Sequence, residues 1–531
     1  MNILKHIIIF TATILIFSCT EKEAKKEAIE KPNIIFIMSD DHAYQAISAY
    51  DTTLIKTPNI DRIANEGMLF TNASVTNSIC APSRAVILTG KHSHINGKID
   101  NLSKFDTTNV TFPQLLQKAG YQTAMFGKLH FGNNPKGFDE FKILPGQGAY
   151  YNPKFITQKG DTIVEGYVTD ITTDLTLDWM KNRRDPKKPF MLMYLHKAPH
   201  RAWLPSKKYY TEFTQKTFPL PATLFDGYET RGTASKTAEM GIFKHMSLTN
   251  DNKLTPETIK ALGIREWSSL GQSLGSMNAE QRASWDEIYE SINEDFKQRY
   301  PTMNDSLLTV WKYQRYMQDY LGTIASVDDN VGRVLDYLEE EKLADNTIVI
   351  YTSDQGFYLG EHGWFDKRFM YNESFKTPLL IKWPTKIGKG ITEDEMVQNL
   401  DFAQTFLEVA GVTAPEDMQG KSLVPLLTGK KEVWDREAVY YHYYEYPAEH
   451  AVKRHYGIAT KSYKIIHFYH DVNEWELYDR KKDPQETNNV IDDADYATIV
   501  NEMKQKLKET RLKYKDSEKL DNYYIELYNN M

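Results

Sequence analysis

The chain alternates between unbroken apolar runs and longer stretches whose apolar residues recur on one helical face. Asn33–Met38 reads Asn-Ile-Ile-Phe-Ile-Met, with no polar residue after the first. Such a run predicts a strand buried on both faces, the habit of parallel sheets. Thr123–Phe126, Phe190–Leu195 and Thr347–Thr352 repeat it. Helical signals lie between them. Thr57-Pro58 supplies an N-cap and a first-turn proline for a helix running to about Glu66 and stopped by Gly67. Leu307–Lys342 carries Ile324, Val327, Val331, Val334, Leu335 and Leu338 on one face, predicting a long amphipathic helix that feeds the strand at Thr347. The alternation predicts an α/β fold, a large, mixed, mostly parallel sheet flanked by helices.

Two regions break this rhythm. Residues 225–306, roughly, are polar and helix-prone with few strand signals, and read as an insertion over the sheet's edge or the mouth of a site. After Gly429 the texture becomes aromatic: Val439–Tyr446, Tyr456–Thr460, Tyr463–Tyr469 and Trp475–Asp479 are short β-type runs with turn residues between them. Residues 431–531 therefore read as a smaller C-terminal α+β subdomain with a small antiparallel sheet, and from about Asp493 onward as charged and helical. The main domain occupies residues 32–430. There are no internal repeats.

The start of the chain reads as a targeting segment. Lys5 and His6 precede the apolar run Ile7–Phe17, too short to span a bilayer as a mature helix and suited to a signal-peptide core. Ile16-Phe17-Ser18-Cys19 resembles a lipobox, which makes residues 1–19 a lipoprotein signal peptide and Cys19 the lipidated residue. Cleavage near Ser18 without lipid is the other reading. Residues 20–31 are charged and Ala-rich, a solvated tether. The expected location is the bacterial cell envelope, anchored by lipid to the outer membrane, facing the periplasm or the surface. The chain's 531 residues carry a net charge of −8, which gives no overall basic face for nucleic acid. It has two cysteines. With Cys19 lipidated, Cys80 has no disulfide partner, and an exported protein with one spare thiol needs a use for it.

Reactive residues collect where the predicted strands end, and ligands of open α/β sheets bind beyond the carboxyl ends of their strands. The first strand runs into Ser39-Asp40-Asp41, the second into Gly127-Lys128-Leu129-His130, the third into His196-Lys197-Ala198-Pro199-His200 and the fourth into Ser353-Asp354-Gln355-Gly356. Lys128 and His130, two apart, face the same side on extended backbone. Adjacent carboxylates such as Asp40 and Asp41 repel unless a cation or proton lies between them. A lone Asp-Asp pair is more often a turn or a helix cap. Asp354, with the amide oxygen of Gln355, completes an all-oxygen set suited to Ca²⁺, with Mg²⁺ second. Cys80 opens a helix whose first turn holds Pro82 and whose next turn brings Arg84 onto the same face. Free amides and the helix dipole favour an anion there.

Cys80-Ala81-Pro82-Ser83-Arg84, followed by Thr89-Gly90-Lys91, resembles the C-x-P-S-R signature of type I sulfatases. Asp40-Asp41, Gly127–His130, Lys197–His200, Asp354–Gly356 and Gly363–Arg368 fall in that family's order, with Gln355 where asparagine or histidine is commoner. Trp311–Tyr316 and Ala325–Asn330 are similar to exported bacterial carbohydrate sulfatases of the glucosamine-6-sulfatase kind. The resemblance implies an alkaline-phosphatase-like fold and a Cys80 oxidised to formylglycine (3-oxoalanine) by a separate maturation enzyme. It implies a metal held by Asp40, Asp41, Cys80, Asp354 and Gln355. Arg84 and Lys128 would steady the nucleophile, His130 would take its proton, and His200 and Lys367 would bind sulfate, with His200 protonating the leaving oxygen. The implied reaction is hydrolysis of sulfate monoesters on a sulfated polysaccharide or its oligosaccharides, whether a glycosaminoglycan or a marine polymer such as ulvan. Asp366 and Arg368, flanking Lys367, are expected to read sugar hydroxyls. The aromatic C-terminal stretch, with His442, His450 and His455, is expected to supply a further wall of the substrate pocket. The competing readings are a phosphomonoester or phosphonate hydrolase and a non-catalytic glycan-binding lipoprotein.

Overall fold

The computed structural model describes residues 31–530, so the signal peptide, Cys19 and almost all of the tether lie outside the described residues. From Lys31 onward the chain forms one compact unit. Among the described residues no helix is long and apolar enough to cross a membrane.

A ten-stranded sheet organises the molecule. Its strands in chain order are β1 (Asn33–Ser39), β2 (Met68–Phe70), β3 (Gln122–Lys128), β4 (Glu140–Leu144), β5 (Lys154–Thr157), β6 (Gly160–Ile163), β7 (Phe190–Leu195), β8 (Thr347–Ser353), β9 (Leu379–Lys382) and β10 (Ile391–Glu393). Their spatial order is β10-β2-β9-β8-β1-β7-β3-β4-β5-β6. The central five, β8-β1-β7-β3-β4, are all parallel, and antiparallel pairs appear toward the edges. The four expected strands are thus four immediate neighbours, and their carboxyl ends share one rim.

The unbroken apolar run of β1 has a simple cause. Ile34, Phe36 and Met38 pack into the core on one face with Phe402, Phe406 and Leu407. Ile35 and Ile37 pack on the other with Val327, Val331, Val334 and Leu335. Both faces are covered, so alternation with polar residues would bury unpaired dipoles. The second cover comes from a 36-residue helix, Asp305–Glu340. Its Asp328 plays a part that no local sequence pattern marks. The helix Pro58–Asn65 begins after Thr57 as expected, but the Thr57 hydroxyl bonds to Asp61, and Asp328 accepts from the amides of Asn59 (3.0 Å) and Ile60 (2.8 Å) instead.

The helix Cys80–Thr89 is buried at every residue. Ala81, Ala85, Ile87 and Leu88 belong to the main core, while Val86 packs with Tyr440, Ile458, Ile465 and Leu477 of a second sheet. That sheet is four-stranded and antiparallel, formed in order by Val439–Tyr443, His455–Ala459, Tyr463–Phe468 and Glu474–Asp479. Two helices, Ala497–Lys513 and Glu518–Asn529, follow it. A helix covered on all sides cannot shift without opening a core, and this one carries Cys80. Residues 225–306 form short helices and one long one, Ala279–Arg299. They meet the rim where Asp251 pairs with Arg201 and Gly241 bridges to Trp364.

Candidate active site

The rim formed by β3, β7, β1 and β8 gathers the reactive residues into one buried cluster. Backbone bonds continue past the strands and hold the loops together: Asp354 N donates to Ser39 O (3.2 Å), His196 N to Met38 O (2.8 Å) and Asp40 N to Ala198 O (3.3 Å). Asp41 then takes a left-handed conformation (φ 68°), which turns its amide onto Asp354 Oδ1 at 3.1 Å.

Three carboxylates face three cations. Asp40 pairs with Lys128 and lies 3.4 Å from Arg84. Asp41 pairs with Lys367 and accepts from the Gln355 amide. Asp354 takes a two-pronged bond from Arg84, 2.9 Å at Nε and 2.8 Å at Nη2. Despite this pairing, Asp40 Oδ1, Asp41 Oδ2 and Gln355 Oε1 are buried with no hydrogen-bond partner, although buried polar atoms are as a rule satisfied. One oxygen from each of Asp40, Asp41 and Asp354 falls within 4.8 Å of the others. This is the spacing and donor chemistry of a hard divalent cation.

The electrostatics follow from burial and crowding. Burial opposes ionisation of Asp40, but Lys128 and Arg84 outweigh it and hold its carboxyl well below the ordinary range. Burial, reinforced by the charge of Asp40, lifts Asp41 to about 6 and Asp354 to about 7. Such repulsion is relieved by a cation or a proton.

Cys80 Sγ sits above this set, 3.9 Å from Lys128 Nζ and 3.6 Å from Lys367 Nζ. Burial and Asp40 push its thiol well above the ordinary value in spite of both lysines. It is a free cysteine, and a protonated thiol is a poor nucleophile. Behind it, Ser83 donates to the Asp354 carbonyl and accepts from Asn399 at 2.9 Å. Arg84 reaches the Lys128 carbonyl as well as Asp354, so the helix is tied to two strand ends.

Two histidines complete the cluster. The strand ends at Lys128 and His130 is left-handed (φ 66°), so a turn, not strand alternation, brings His130 beside Lys128. Burial and Lys128 push its imidazole down to about 2, which keeps it neutral. His200 donates from Nδ1 to the Arg201 carbonyl at 2.5 Å and directs Nε2 toward Asp41, 3.8 Å away. Burial holds it neutral too.

The expected sugar-reading residues fall into two groups. Asp366 and Arg368 line the wall beside Lys367 but are not free. Asp366 accepts from the Lys367 amide (2.7 Å) and lies 3.3 Å from both Arg368 Nε and His450 Nε2. Arg368 pairs with Glu445 (2.9 Å) and Glu449 (3.5 Å). His442 and His455 are corrections, because neither faces the cluster. His442 uses both ring nitrogens inside the C-terminal region, on Asp516 (3.0 Å) and on the Tyr469 hydroxyl (2.8 Å). His455 is fully buried against Tyr441, Tyr443 and Phe468, with Nδ1 donating to Lys453 O at 2.8 Å. His450 is the histidine at the wall. Sequence reasoning also missed Glu449, which is exposed and bridges Arg368 to Arg201 (3.1 Å). It missed Asn101 as well, whose Oδ1 accepts from the Ala81 amide at 3.0 Å. Nothing local in the sequence marks either residue.

Comparison with known proteins agrees with this geometry. A family model described as "Sulfatase" matches residues 32–412, and one described as "N-sulphoglucosamine sulphohydrolase, C-terminal" matches residues 360–513. The chain is 49% identical over 512 residues to the N-acetylglucosamine-6-O-sulfatase of Bacteroides thetaiotaomicron, covering 96% of this chain and 90% of that one. It is 27% identical over 511 residues to an ulvan-active sulfatase of Formosa agariphila, covering 90% and 79%. A solved structure described as BT4656 in complex with its substrate D-glucosamine-2-N,6-O-disulfate superposes with a TM-score of 0.88 at 49% identity, covering 92% of this chain and 99% of that one. The cluster at the rim, the mixed sheet and these matches agree: the chain belongs to the sulfatase family and is a sulfuric ester hydrolase.

Proposed function

We propose that the protein removes sulfate from 6-O-sulfated glucosamine residues of a glycosaminoglycan-type saccharide. The observation that carries the reading is the set of three unpartnered buried oxygens on Asp40, Asp41 and Gln355 beneath Cys80, flanked by Lys128 and Lys367. The sugar comes from the relatives, a glucosamine-6-sulfatase and a disulfated glucosamine complex, each at 49% identity.

Asp40, Asp41, Asp354 and Gln355 fit a divalent cation, Ca²⁺ before Mg²⁺, because every donor is a hard oxygen. When bound, the cation supplies charge that polarises the ester and acidifies a hydroxyl beside it. Cys80 is read as the site of oxidation to formylglycine by a maturation enzyme, since the thiol itself is held protonated. Once modified, the side chain supplies a hydrated aldehyde in place of the thiol. The remaining roles belong to the surrounding side chains. Arg84 is fixed between Asp354 and the Lys128 carbonyl, so it orients the carboxylates, and Lys128 holds positive charge at the nucleophile. Neutral His130 is free to accept a proton there. Lys367 and His200 flank the position of the sulfuryl oxygens. With Nδ1 committed to the Arg201 carbonyl, His200 presents Nε2, and an anionic ester beside it favours the protonated form needed to assist the leaving oxygen. Glu449, held by Arg201 and Arg368, is an acceptor suited to a sugar hydroxyl. Export and lipid anchoring through Cys19 belong to the same proposal, as an envelope enzyme meets polysaccharide outside the cytoplasm.

The test is desulfation of a panel of defined saccharides by protein matured in its native host. The expected result is release of sulfate from 6-O-sulfated glucosamine, with phosphate monoesters turned over at least about 100-fold more slowly. Faster phosphate release would move the assignment to a phosphohydrolase, and absence of turnover by matured protein would favour the glycan-binding reading.

A further inference from the structure

A third lysine at the rim has no role so far. Lys197 is 3% exposed, and among the described residues its ammonium has no carboxylate within 4 Å and no hydrogen-bond acceptor. Its ammonium lies over the face of Tyr150, 4.7 Å from Nζ to the ring centroid. Tyr150 is itself fixed, because its hydroxyl donates to the His200 carbonyl at 2.6 Å. The carbonyl of the next residue, Ala198, accepts from Asp40 N at 3.3 Å, and the charges of Lys128, Asp40, Asp41 and Cys80 act on Lys197, so it stands at the edge of the cluster.

The three lysines differ in one respect. Lys128 and Lys367 are neutralised by Asp40 and Asp41, and Arg84 by Asp354. Three carboxylates are thereby matched to three cations, and Lys197 is the surplus. An ammonium buried without a counter-ion is unfavourable, and buried charges are as a rule paired. A ring face offsets only part of the lost hydration. Burial and the nearby Lys128 accordingly push Lys197 down to about 7. An unmatched cation at the edge of this cluster makes sense if the missing anion arrives with the substrate.

We propose that Lys197 is a binding residue for the scissile sulfate group, an ammonium held unpaired over Tyr150 until the ester's sulfuryl oxygens occupy it. The inference rests on the sulfate-ester reading and names an additional contact within it. A purely structural lysine, held for its contact with Tyr150, makes the opposite prediction about stability, and this separates the two.

The experiment uses matured full-length protein and the variant Lys197→Met, which keeps the length of the chain and removes the charge. Three readouts are taken: kcat/KM on a small aryl sulfate and on a 6-O-sulfated glucosamine saccharide, the melting temperature, and its shift with inorganic sulfate. The expected result is a loss of kcat/KM of about 10- to 100-fold on both substrates, the range of a charge-assisted hydrogen bond. The melting temperature should rise, since an unpaired buried charge has gone, and the stabilisation by sulfate should shrink. Lys197→Arg should recover part of the activity. Unchanged kcat/KM, or a lower melting temperature with undiminished sulfate stabilisation, would overturn the proposal. A loss confined to the saccharide would move Lys197 from the scissile sulfate to another substituent. If Lys197→Met alone is silent while Cys80→Ala is inactive, this inference fails and the functional reading stands. An active Cys80→Ala would sink the functional reading first.

Discussion

Two buried clusters in this molecule are built from similar residues and come out differently. At the strand ends, Asp40, Asp41 and Asp354 lie within reach of one ion. Behind the C-terminal sheet, His442, Asp516 and Asp521 lie equally close together. In the second cluster the demands are met internally: Asp516 accepts from His442 and Tyr440, Asp521 takes bonds of 2.8 and 2.7 Å from Arg511, and Tyr469 occupies the other His442 nitrogen. In the first cluster, carboxylate and amide oxygens are left without partners, and one lysine is left without an anion. Composition and proximity are alike, and the difference is satisfaction. A polar cluster whose bonds close on themselves pins a subdomain, whereas one with unpartnered buried oxygens has donors to offer a ligand.

The largest effect should come from breaking the open cluster. Asp354→Asn keeps the shape but weakens both the hold on Arg84 and the oxygen set, and should lower kcat by on the order of 10³-fold with a weaker response to added Ca²⁺. A variant within a few-fold of the parent would mean that the carboxylates are structural. Arg368→Ala comes next. It releases Glu449 and Glu445, so turnover of a sulfated saccharide should fall by about 10- to 100-fold and that of an aryl sulfate much less. Equal losses would take the Arg368 wall out of sugar recognition.

The closed cluster should respond in the opposite manner. His442→Phe should cost roughly 1–3 kcal/mol of stability by stripping a partner from Asp516, read by denaturant unfolding, while kcat stays within about 2-fold of the parent, as a change remote from the reacting groups should leave it. A large activity loss at full stability would put His442 back at the substrate.

The smallest effect is a pH dependence. Asp41 and Asp354 titrate at about 6 and about 7 when buried, above their ordinary unfolded value. In cation-free protein their contribution to stability is therefore present at low pH and lost as pH rises through 6 to 7. Calcium competes with those protons, so the rise in melting temperature on adding it should be larger at about pH 8 than at about pH 5. Equal shifts would separate calcium from these carboxylates.

Most of this architecture was legible in the sequence because it is local. A strand covered on both faces must be continuously apolar, and the residues that follow it must stand at the rim. That logic brings Asp40, Lys128, His200 and Asp354 together before any coordinates are known. What the sequence hid depends on contacts between distant segments. Asp328 caps a helix 269 positions away at Asn59, Glu449 joins two loops across the rim, and His450 rather than His442 or His455 meets Asp366. His130 stands beside Lys128 as expected but by another route: alternation holds only while the backbone is extended, and at His130 a left-handed turn replaces it.

Cys80 is proposed as the precursor of the nucleophile, beside the oxygens of Asp40, Asp41, Asp354 and Gln355 that would hold a cation. The direct measurement is peptide mass spectrometry of residue 80 in protein from its native host, paired with the activity of Cys80→Ala on 6-O-sulfated glucosamine. The expected result is an aldehyde or its hydrate in place of the thiol at Cys80 and no measurable sulfate release by the variant. An unmodified thiol in fully active protein, or an active Cys80→Ala, would contradict it.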